Sequence, residues 1–284
     1  MQPAVINFDL YKKCLQMLFQ TSPPSTSLSG IIRKFWAMDA CTIQPHTQRI
    51  VPTGTTEIIF YLTDRPILKG TYKGYESTSC FHGPTDTYFD LEVQGNIKLF
   101  AITLQPHGAF WFLPQPMHEL FRQNLPLRLL FPKTALEWEE KIAQAETFDE
   151  KIKVSEEMVF RLISKETAGF NEKRIARTLQ IIHPEPGKWY IDQLASEAFL
   201  CRKQFERVFN EQVGVTPKRF LRIIRFQRAL FEKQKNPELP LAALAYQCHF
   251  ADQSHMIRDF QLITGLSPGE YFENCEPISD YYTP

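Results

Sequence analysis

Two arginines, Arg207 and Arg258, occupy matching places in the C-terminal third of the sequence. Arg207 stands midway between Phe205 and Phe209, and Arg258 is flanked by apolar residues in the same way. In a helix, which turns by about 100° per residue, this spacing buries the flanking side chains and directs the arginine outward. An outward guanidinium group carries N–H donors in a fixed fork, which suits paired acceptors such as O6 and N7 of guanine. The spacing therefore predicts two exposed helix faces that can make directional hydrogen bonds.

The arginines belong to a pattern that occurs twice. Its copies are FERVFNEQVGVTPKRF, residues 205–220, and MIRDFQLITGLSPGEY, residues 256–271. Both read apolar-x-Arg-x-Phe, then four residues, then glycine, an apolar residue, a hydroxyl residue and proline. Gly214 and Gly265 suit the left-handed residue that ends a helix, and Asp252 suits the N-cap of the second copy. Because each copy follows a short helix rich in Leu and Ala, the pattern predicts two helix-turn-helix units in tandem.

A connecting helix is predicted between the two units. Thr216 and Pro217 provide a hydroxyl cap and a proline at the first helical position, and the segment KNPELP ends the helix near Lys235. About 19 residues at roughly 1.5 Å per residue give a length of about 28 Å. One turn of B-DNA repeats every ~34 Å. We therefore expect a rigid connector that holds two recognition helices in successive major-groove segments on one side of a duplex.

Positive charge is concentrated around these predicted helices. The whole chain of 284 residues has 32 Lys and Arg against 32 Asp and Glu. Residues 171–235 alone have 14 basic against 7 acidic residues, a surplus of seven, whereas residues 1–170 have 17 against 18. A basic segment in a neutral protein favours a polyanionic partner for that segment, although a merely solvated helical face is the plainer alternative.

The first half of the sequence is typical of β-structure. Its apolar runs mix β-branched and aromatic residues and are separated by clusters of Pro, Gly and Asp. The predicted strands are residues 31–38, 49–62, 88–95 and 96–104. Short helices follow, including an amphipathic one at about 148–165. We therefore predict an α+β chain with two domains. A β-rich domain, a small sheet or barrel with flanking helices, covers residues 1–168, and an all-α double helix-turn-helix domain covers residues 169–284.

The C-terminal segments resemble the paired helix-turn-helix DNA-binding domain of AraC/XylS-type bacterial transcription regulators. The resemblance covers roughly residues 171–275 and is carried by FADQSH, TGLSP and GVTPKRF. A weaker similarity to the β-rich sensor domains of some members lies in FHGPTD and LQPHGAFWFL. The resemblance implies a sequence-specific transcription regulator that binds double-stranded DNA.

The resemblance also implies a regulatory role for the β-rich domain. We predict a sensor or dimerisation unit whose state alters DNA affinity or contact with RNA polymerase, through a small-molecule effector or a homodimer. The four tryptophans of the chain are most often core residues, and an aromatic-lined pocket for an apolar effector is the alternative. They are Trp36, Trp111, Trp138 and Trp189.

Position by position, the resemblance assigns base reading and phosphate binding to separate side chains. The base-reading set is Arg202, Lys203, Glu206 and Arg207 in the first recognition helix, and Gln253, Ser254 and Arg258 in the second. The phosphate-binding set on the connector is Lys218, Arg219, Arg222 and Arg225. Arg and Lys suit guanine, Gln suits adenine and Glu can accept from cytosine N4. Phosphate contacts set the register of the protein on DNA rather than the sequence that it reads.

The sequence departs from the family at three places. Glycine is usual in both turns, where this chain has Phe199 and His249. Serine is the usual N-cap of the first recognition helix, where this chain has Cys201. Because a thiol is a poor acceptor, we expect the first unit to be less firmly capped, by up to ~1 kcal/mol.

The histidines are an alternative source of chemistry. His249 and His255 stand six residues apart across a turn, and their spacing does not bring four metal ligands to one point. The β-rich half has four more, His46, His82, His107 and His118. A small barrel can gather distant histidines around a metal, yet ordinary polar or packing histidines are the plainer interpretation. The sequence therefore predicts no metal and no other cofactor.

The cysteines define the alternative function. Six cysteines are spread along the chain without a C-x-x-C pair, which predicts neither a zinc site nor a disulfide framework. If its pKa were lowered, a thiolate such as Cys41 or Cys80 could act as a nucleophile. The chain would then join its DNA-binding module to an enzymatic or alkyl-accepting N-terminal domain. Neither cysteine lies in a Cys-His motif, so we predict a regulator that is not an enzyme.

The N-terminus and the apolar runs bear on location. No basic region followed by an apolar core opens the sequence, and no run approaches the length that spans a membrane. We therefore expect a cytoplasmic, nucleoid-associated protein without a membrane partner.

Overall fold

The structure of the chain is a computed structural model that describes residues 14–69, 77–113, 115–163, 170–184 and 187–275. The strands in these residues are β1 Cys14–Ser22, β2 Ile32–Ile50, β3 Thr56–Tyr61, β4 Ile67–Lys69, β5 Ser79–His82, β6 Phe89–Leu104 and β7 Asn124–Pro126. The first α-helices are α1 Leu127–Leu130, α2 Ala135–Gln144 and α3 Phe148–Leu162. The later ones are α4 Phe170–Ile182, α5 Ile191–Glu197, α6 Arg202–Val213, α7 Pro217–Lys235, α8 Leu241–Gln247, α9 Gln253–Thr264 and α10 Pro268–Asn274.

The strands form one antiparallel sheet in the order β1-β2-β6-β3-β5-β7, with β4 pairing to β6 beside this path. The long strands β2 and β6 form its central pair, which runs from Ile32 opposite Leu104 to Ile50 opposite Phe89. The order has two ends, so of the two predicted forms the structure shows an open sheet and not a barrel. The predicted α+β class, a β-rich region followed by a helical one, is confirmed.

Two predicted strand boundaries were wrong. The predicted strands 88–95 and 96–104 are one strand, β6, which runs from Phe89 through Gly95 to Leu104. Its pairing with β2 resumes beyond a register shift between Thr42 and His46. The predicted strand 49–62 is interrupted between β2 and β3, where Pro52 has no N–H to donate to a neighbouring strand.

Helices cover one face of the sheet and complete the first core. Trp138 of α2 is fully buried, and its ring centroid lies 5.4 Å from that of Phe60 on β3. The helix α3 begins at a capping box formed by Thr147 and Glu150, and it ends at Leu162. The last residues of the predicted helix 148–165 and the predicted domain boundary at 168/169 lie outside the described residues.

The connector α7 belongs to two apolar cores in the helical part, residues 170–275. Its N-terminal half contributes Phe220, Ile223 and Ile224 to a core with α4, α5 and α6. Its C-terminal half contributes Phe226 and Leu230 to a core with α8, α9 and α10. The predicted span of the connector, Thr216 as its cap and its length of 19 residues are confirmed. Among the described residues, the helices are all too short or too polar to cross a bilayer.

The β-rich part, residues 14–163, packs directly against the helical part. The fully buried side chain of Gln227 on α7 donates from Nε2 to the carbonyl oxygen of Pro52, at 2.7 Å. The backbone N–H of Tyr88 donates to the carbonyl oxygen of Ile263 on α9, at 2.9 Å. Backbone acceptors and donors of the sheet loops therefore meet both the connector and the second recognition helix.

The loop of residues 83–88 contacts the C-terminal end of each recognition helix. Gly214, which ends α6, lies so close to this loop that a β-carbon on it would stand 2.4 Å from Cγ of Pro84. Gly265, which ends α9, lies under the ring of Tyr88, where a β-carbon would stand 2.9 Å from Cε1. Both helix ends are therefore covered by one segment of the β-rich part.

Candidate nucleic-acid interface

The first helix-turn-helix unit consists of α5, a turn and α6. Phe205 and Phe209 are buried, which confirms the two predicted anchors of α6, and Val208 is buried beside them. The turn passes through Phe199, which has φ of +53° and a side chain that is 75% exposed. A non-glycine residue in this left-handed region is uncommon, so the departure from glycine here carries backbone strain. Gly214 ends the helix with φ of +83°, as predicted.

The second unit, α8 and α9, repeats this geometry. Met256, Phe260 and Ile263 are buried, and Gly265 ends α9 with φ of +74°. His249 occupies the turn with φ of +59°, at the place that Phe199 has in the first unit. The two turns therefore share their backbone conformation although neither contains the glycine that would adopt it most easily.

The N-caps of the recognition helices differ. The carboxylate of Asp252 accepts a hydrogen bond from the backbone N–H of His255 at 2.6 Å, which confirms the predicted cap of α9. Cys201 at the start of α6 makes no side-chain cap, and its thiol instead donates to Oε1 of Gln204 at 3.3 Å. The predicted weakness of the first cap is therefore present in the structure.

The base-reading residues predicted on α6 lie on its outer surface among acids. Nε of Arg202 is 3.1 Å from Oε1 of Glu206, and its Nη1 is 3.3 Å from Oδ2 of Asp192. Nη1 of Arg207 lies 3.8 Å from a carboxylate oxygen of Glu211. These pairs are exposed, and such pairs contribute little to stability. The two arginines of this face are therefore held in weak pairs that a stronger anion can replace.

The residues predicted to read bases from α9 form a different surface. Gln253, Ser254 and Arg258 are all exposed. Within the described residues, the ion pairs of this helix involve Asp259 and leave the guanidinium of Arg258 without a carboxylate partner. The second unit therefore offers one unpaired cation and two neutral hydrogen-bonding groups.

The residues predicted to bind phosphate along α7 do not form one uniform stripe. Lys218 is exposed. Nε of Arg219 lies 3.3 Å from Oδ2 of Asp86 in the loop of residues 83–88. Arg222 and Arg225 turn toward α9, where both pair with Asp259. The structure thus brings three of the four predicted phosphate-binding residues to carboxylates.

Asp259 is a functional candidate that was not predicted from the sequence. Its Oδ1 lies 3.1 Å from Nε of Arg222, and its Oδ2 lies 3.4 Å from Nη2 of Arg225 and 3.4 Å from Nε2 of His255. The signal was present in the repeat, because Asp259 stands where the first unit has Val208. An acid at a position that is apolar in the matching copy requires buried partners.

The protonation of this cluster follows from its contacts. Nδ1 of His255 accepts from the backbone N–H of Ala251 at 3.2 Å, so the remaining imidazole proton lies on Nε2, facing Asp259. Burial lowers the pKa of His255, an effect that Asp259 opposes. Burial also lowers the pKa of Arg225, whose guanidinium remains charged because an arginine does not lose its proton in proteins. The cluster therefore joins two guanidinium groups and one neutral imidazole to a single carboxylate.

The buried histidines of the β-rich part do not support a metal site. Burial lowers the pKa of His82 and that of His107 to about 4, so both are neutral at pH 7. The described part of the chain brings no three side chains of His, Cys, Asp or Glu together in a way that could hold a metal ion. His82 and His107 are packing residues of the β-rich part.

Of the two cysteines considered as nucleophiles, Cys80 has the wrong environment for that role. Cys80 is buried, and burial raises the pKa of its thiol to about 12. A nucleophilic cysteine requires the opposite shift, since the thiolate is the reactive form. Cys41 on β2 is half-buried.

Comparisons with known proteins match two separate segments of the chain. Residues 194–274 match the family described as a helix-turn-helix domain, of the AraC type that the resemblance predicted. Residues 20–126 match a domain of unknown function. An uncharacterised HTH-type transcriptional regulator of Haemophilus influenzae is 33% identical over 101 residues, which cover 35% of this chain and 34% of that protein.

Two further proteins are similar to this chain, one over about a third of it and one over most of it. The HTH-type transcriptional regulator MtrA of Neisseria gonorrhoeae is 31% identical over 104 residues, which cover 36% of this chain and 34% of that protein. The match therefore spans about a third of the length of these curated relatives. The solved structure of ToxT from Vibrio cholerae covers 90% of this chain and 98% of its own, at 14% identity and a TM-score of 0.47.

Proposed function

We propose that this chain is a sequence-specific, DNA-binding transcription regulator that places α6 and α9 in successive major-groove segments of one duplex. The observation that carries the proposal is the connector α7, which takes part in the cores of both helix-turn-helix units. Its 19 residues span about 28 Å at roughly 1.5 Å per residue. This length suits two recognition helices about one turn of B-DNA apart.

The exposed faces of the two helices supply the sequence readers in this proposal. Arg202, Lys203 and Arg207 suit guanine, and Glu206 suits cytosine N4. In the second unit Gln253 suits adenine, Ser254 is a versatile partner, and Arg258 suits guanine. Lys218, exposed at the start of the connector, is proposed to bind a phosphate.

We further propose that the β-rich part regulates DNA binding. Its contacts with α7 and with both recognition-helix ends give a change in the sheet loops a direct route to the interface. An effector can act through this route only if it binds the two conformations of the chain with different affinity. A small-molecule effector, a homodimer and contact with RNA polymerase are the partners proposed for this part.

The proposal is tested by binding-site selection with the full chain. Random duplex DNA is enriched by the wild-type protein, and the selected duplex is then titrated in a gel-shift assay at several salt concentrations. We expect one motif with two blocks about 10 base pairs apart, and an affinity that falls as the salt concentration rises. Lys203→Ala should weaken binding, whereas Lys153→Ala, which removes an equally exposed lysine from α3, should not.

The enzymatic alternative makes a different prediction. A nucleophilic cysteine would react with a thiol-directed alkylating reagent faster than an ordinary thiol. Given the burial of Cys80, we expect its alkylation in the folded chain to be slower than that of exposed Cys201. Rapid alkylation of Cys80 or Cys41, together with a failure to select any DNA motif, would favour the alternative.

A further inference from the structure

The two recognition helices differ at one buried position. Asp259 on α9 and Val208 on α6 are each 3% exposed and occupy equivalent places in the repeat. Val208 lies in the apolar core with Ile175 and Leu179 of α4. A valine at this place is therefore enough to seat a recognition helix in this fold. A buried carboxylate at the same place has a desolvation cost that valine lacks, so its partners indicate what it does.

Those partners lie on the connector. Arg222 and Arg225 are three residues apart on α7, and each guanidinium meets a different oxygen of Asp259, at 3.1 Å and 3.4 Å. The ring of Phe250 lies 5.1 Å from the guanidinium carbon of Arg225. One carboxylate thus ties two arginines of the connector to the second recognition helix.

This arrangement opposes phosphate binding by the same arginines. Their side chains are only 28% and 18% exposed. A guanidinium that moved out to a phosphate would leave Asp259 with fewer partners in a buried site, and breaking a buried ion pair is strongly unfavourable. Lys218 on the same helix has no such restraint from Asp259.

We propose that Asp259 is a positioning residue for DNA recognition. It retains Arg222 and Arg225 on the protein and fixes α9 against the connector. The exposed face of α9 then meets the bases without additional phosphate contacts that would strengthen binding to every sequence alike. The proposal rests on the proposed function and adds to it the reason why two cations of a basic helix are not DNA ligands.

The test compares three variants of the full chain. They are Asp259→Asn, the double variant Arg222→Met with Arg225→Met, and the triple variant that combines them. Asp252→Asn is the matched control, because it also removes one carboxylate from the start of α9 while asparagine can still cap the helix. Affinity is measured for the duplex selected by the wild-type chain and for a scrambled duplex, each over a series of salt concentrations.

Asp259→Asn should release the two guanidinium groups. We expect tighter binding to scrambled DNA, a selected-to-scrambled affinity ratio that falls about tenfold, and a salt slope that steepens by about 0.9 for each arginine that reaches a phosphate. The triple variant should return to the wild-type slope because the released cations are gone. Asp252→Asn should leave the slope unchanged.

The triple variant decides the matter even if Asp259→Asn or the double variant does not fold, because it removes the carboxylate and both of its cations together and leaves no unpaired buried charge. Under the proposal its salt slope equals that of the wild type, whereas arginines that already bind phosphate would make it shallower by about two. That shallower slope would overturn the proposal, as would a folded Asp259→Asn protein with unchanged slope and ratio. A wild-type chain that selects no DNA at all would instead remove the proposed function, and the positioning role with it.

Discussion

The two helix-turn-helix units have the same backbone and different electrostatics. Both turns are left-handed at a non-glycine residue, and both recognition helices end at a left-handed glycine. The recognition helix α6 starts at a cysteine whose side chain does not cap it, and it displays paired cations. The recognition helix α9 starts at a carboxylate that caps it, and it displays mostly neutral groups. Both are seated on apolar cores, and the second has a buried ionic cluster in addition. The repeated spacing therefore determines the shape of a unit, and the residues between the repeated positions determine what it can bind.

The largest expected difference between the units lies at the glycines that end the recognition helices. Gly214→Ala would place a β-carbon 2.4 Å from Pro84 and 2.8 Å from the carbonyl oxygen of Met117. For Gly265→Ala the nearest atoms all belong to the side chain of Tyr88, beginning with Cε1 at 2.9 Å. Both substitutions are disfavoured by positive φ, but backbone atoms yield less than a ring.

We expect Gly214→Ala to lower the free energy of unfolding by roughly 3 kcal/mol and Gly265→Ala by roughly 1–2 kcal/mol. Urea denaturation of the full chain measures both values. Equal losses would mean that the contacts with the β-rich part do not distinguish the two helix ends.

The second difference concerns the arginines that the repeat aligns. Arg258 has no carboxylate partner within the described residues, whereas Arg207 lies 3.8 Å from Glu211. Because Arg207 must leave Glu211 to reach a base, its net contribution to the free energy of DNA binding should be smaller than that of Arg258. We expect Arg258→Ala to weaken binding to the selected duplex by about 1–3 kcal/mol and Arg207→Ala by less. Gel-shift titrations measure the loss, and the reverse order would contradict the assigned difference between the faces.

The third difference lies at the N-caps and can be tested in both directions. Cys201→Ser introduces an acceptor where none is used, and we expect it to stabilise the chain by about 0.5–1 kcal/mol. Asp252→Ala removes an acceptor from α9 and should destabilise the chain by about 1 kcal/mol. Thermal unfolding at fixed pH compares the variants. If Cys201→Ser has no effect while Asp252→Ala has its full effect, the backbone N–H groups of α6 have another partner.

The smallest expected effects lie in the turns, where the two units should behave alike. Phe199→Gly and His249→Gly each replace an exposed left-handed residue with the one that tolerates positive φ. We expect each to stabilise the chain by about 0.5 kcal/mol. Tyr246→Gly is the control, because Tyr246 is 87% exposed but helical, so glycine there should cost about 1 kcal/mol. A loss of stability at either turn would show that the side chain there makes a contact worth more than the strain.

The spacing of the repeat predicted most of the helical part. Buried anchors such as Phe260, the end of α9 at Gly265 and the limits of the connector all follow from periodicity and capping, which are local rules. The pairing of Asp259 with Arg222 was not predicted, because it joins side chains on different helices and their distance depends on how the units pack. The mismatch with Val208 was its only sign in the sequence.

The β-rich part was less predictable than the helical part. Alternating apolar residues located the strands, but they could not show that β6 runs uninterrupted through Gly95 or that the sheet stays open. Pairing partners are distant in sequence, and single-strand patterns carry little information about them. The contact of residues 83–88 with both helix ends has no sequence signal, since it depends on complementary shape between surfaces that are distant in sequence.

That contact has a consequence for the DNA itself. The two units already share the connector in their cores, and the loop of residues 83–88 adds a second link between them by contacting both helix ends. We expect this second link to restrict changes in the angle between the recognition helices. If the angle between the recognition helices is fixed, the DNA duplex must change its shape to fit both of them. Under the proposed function, the base pairs between the two major-groove segments then influence affinity through the energy needed to bend or twist them. We expect flexible pyrimidine–purine steps in that spacer to strengthen binding and a stiff A-tract to weaken it.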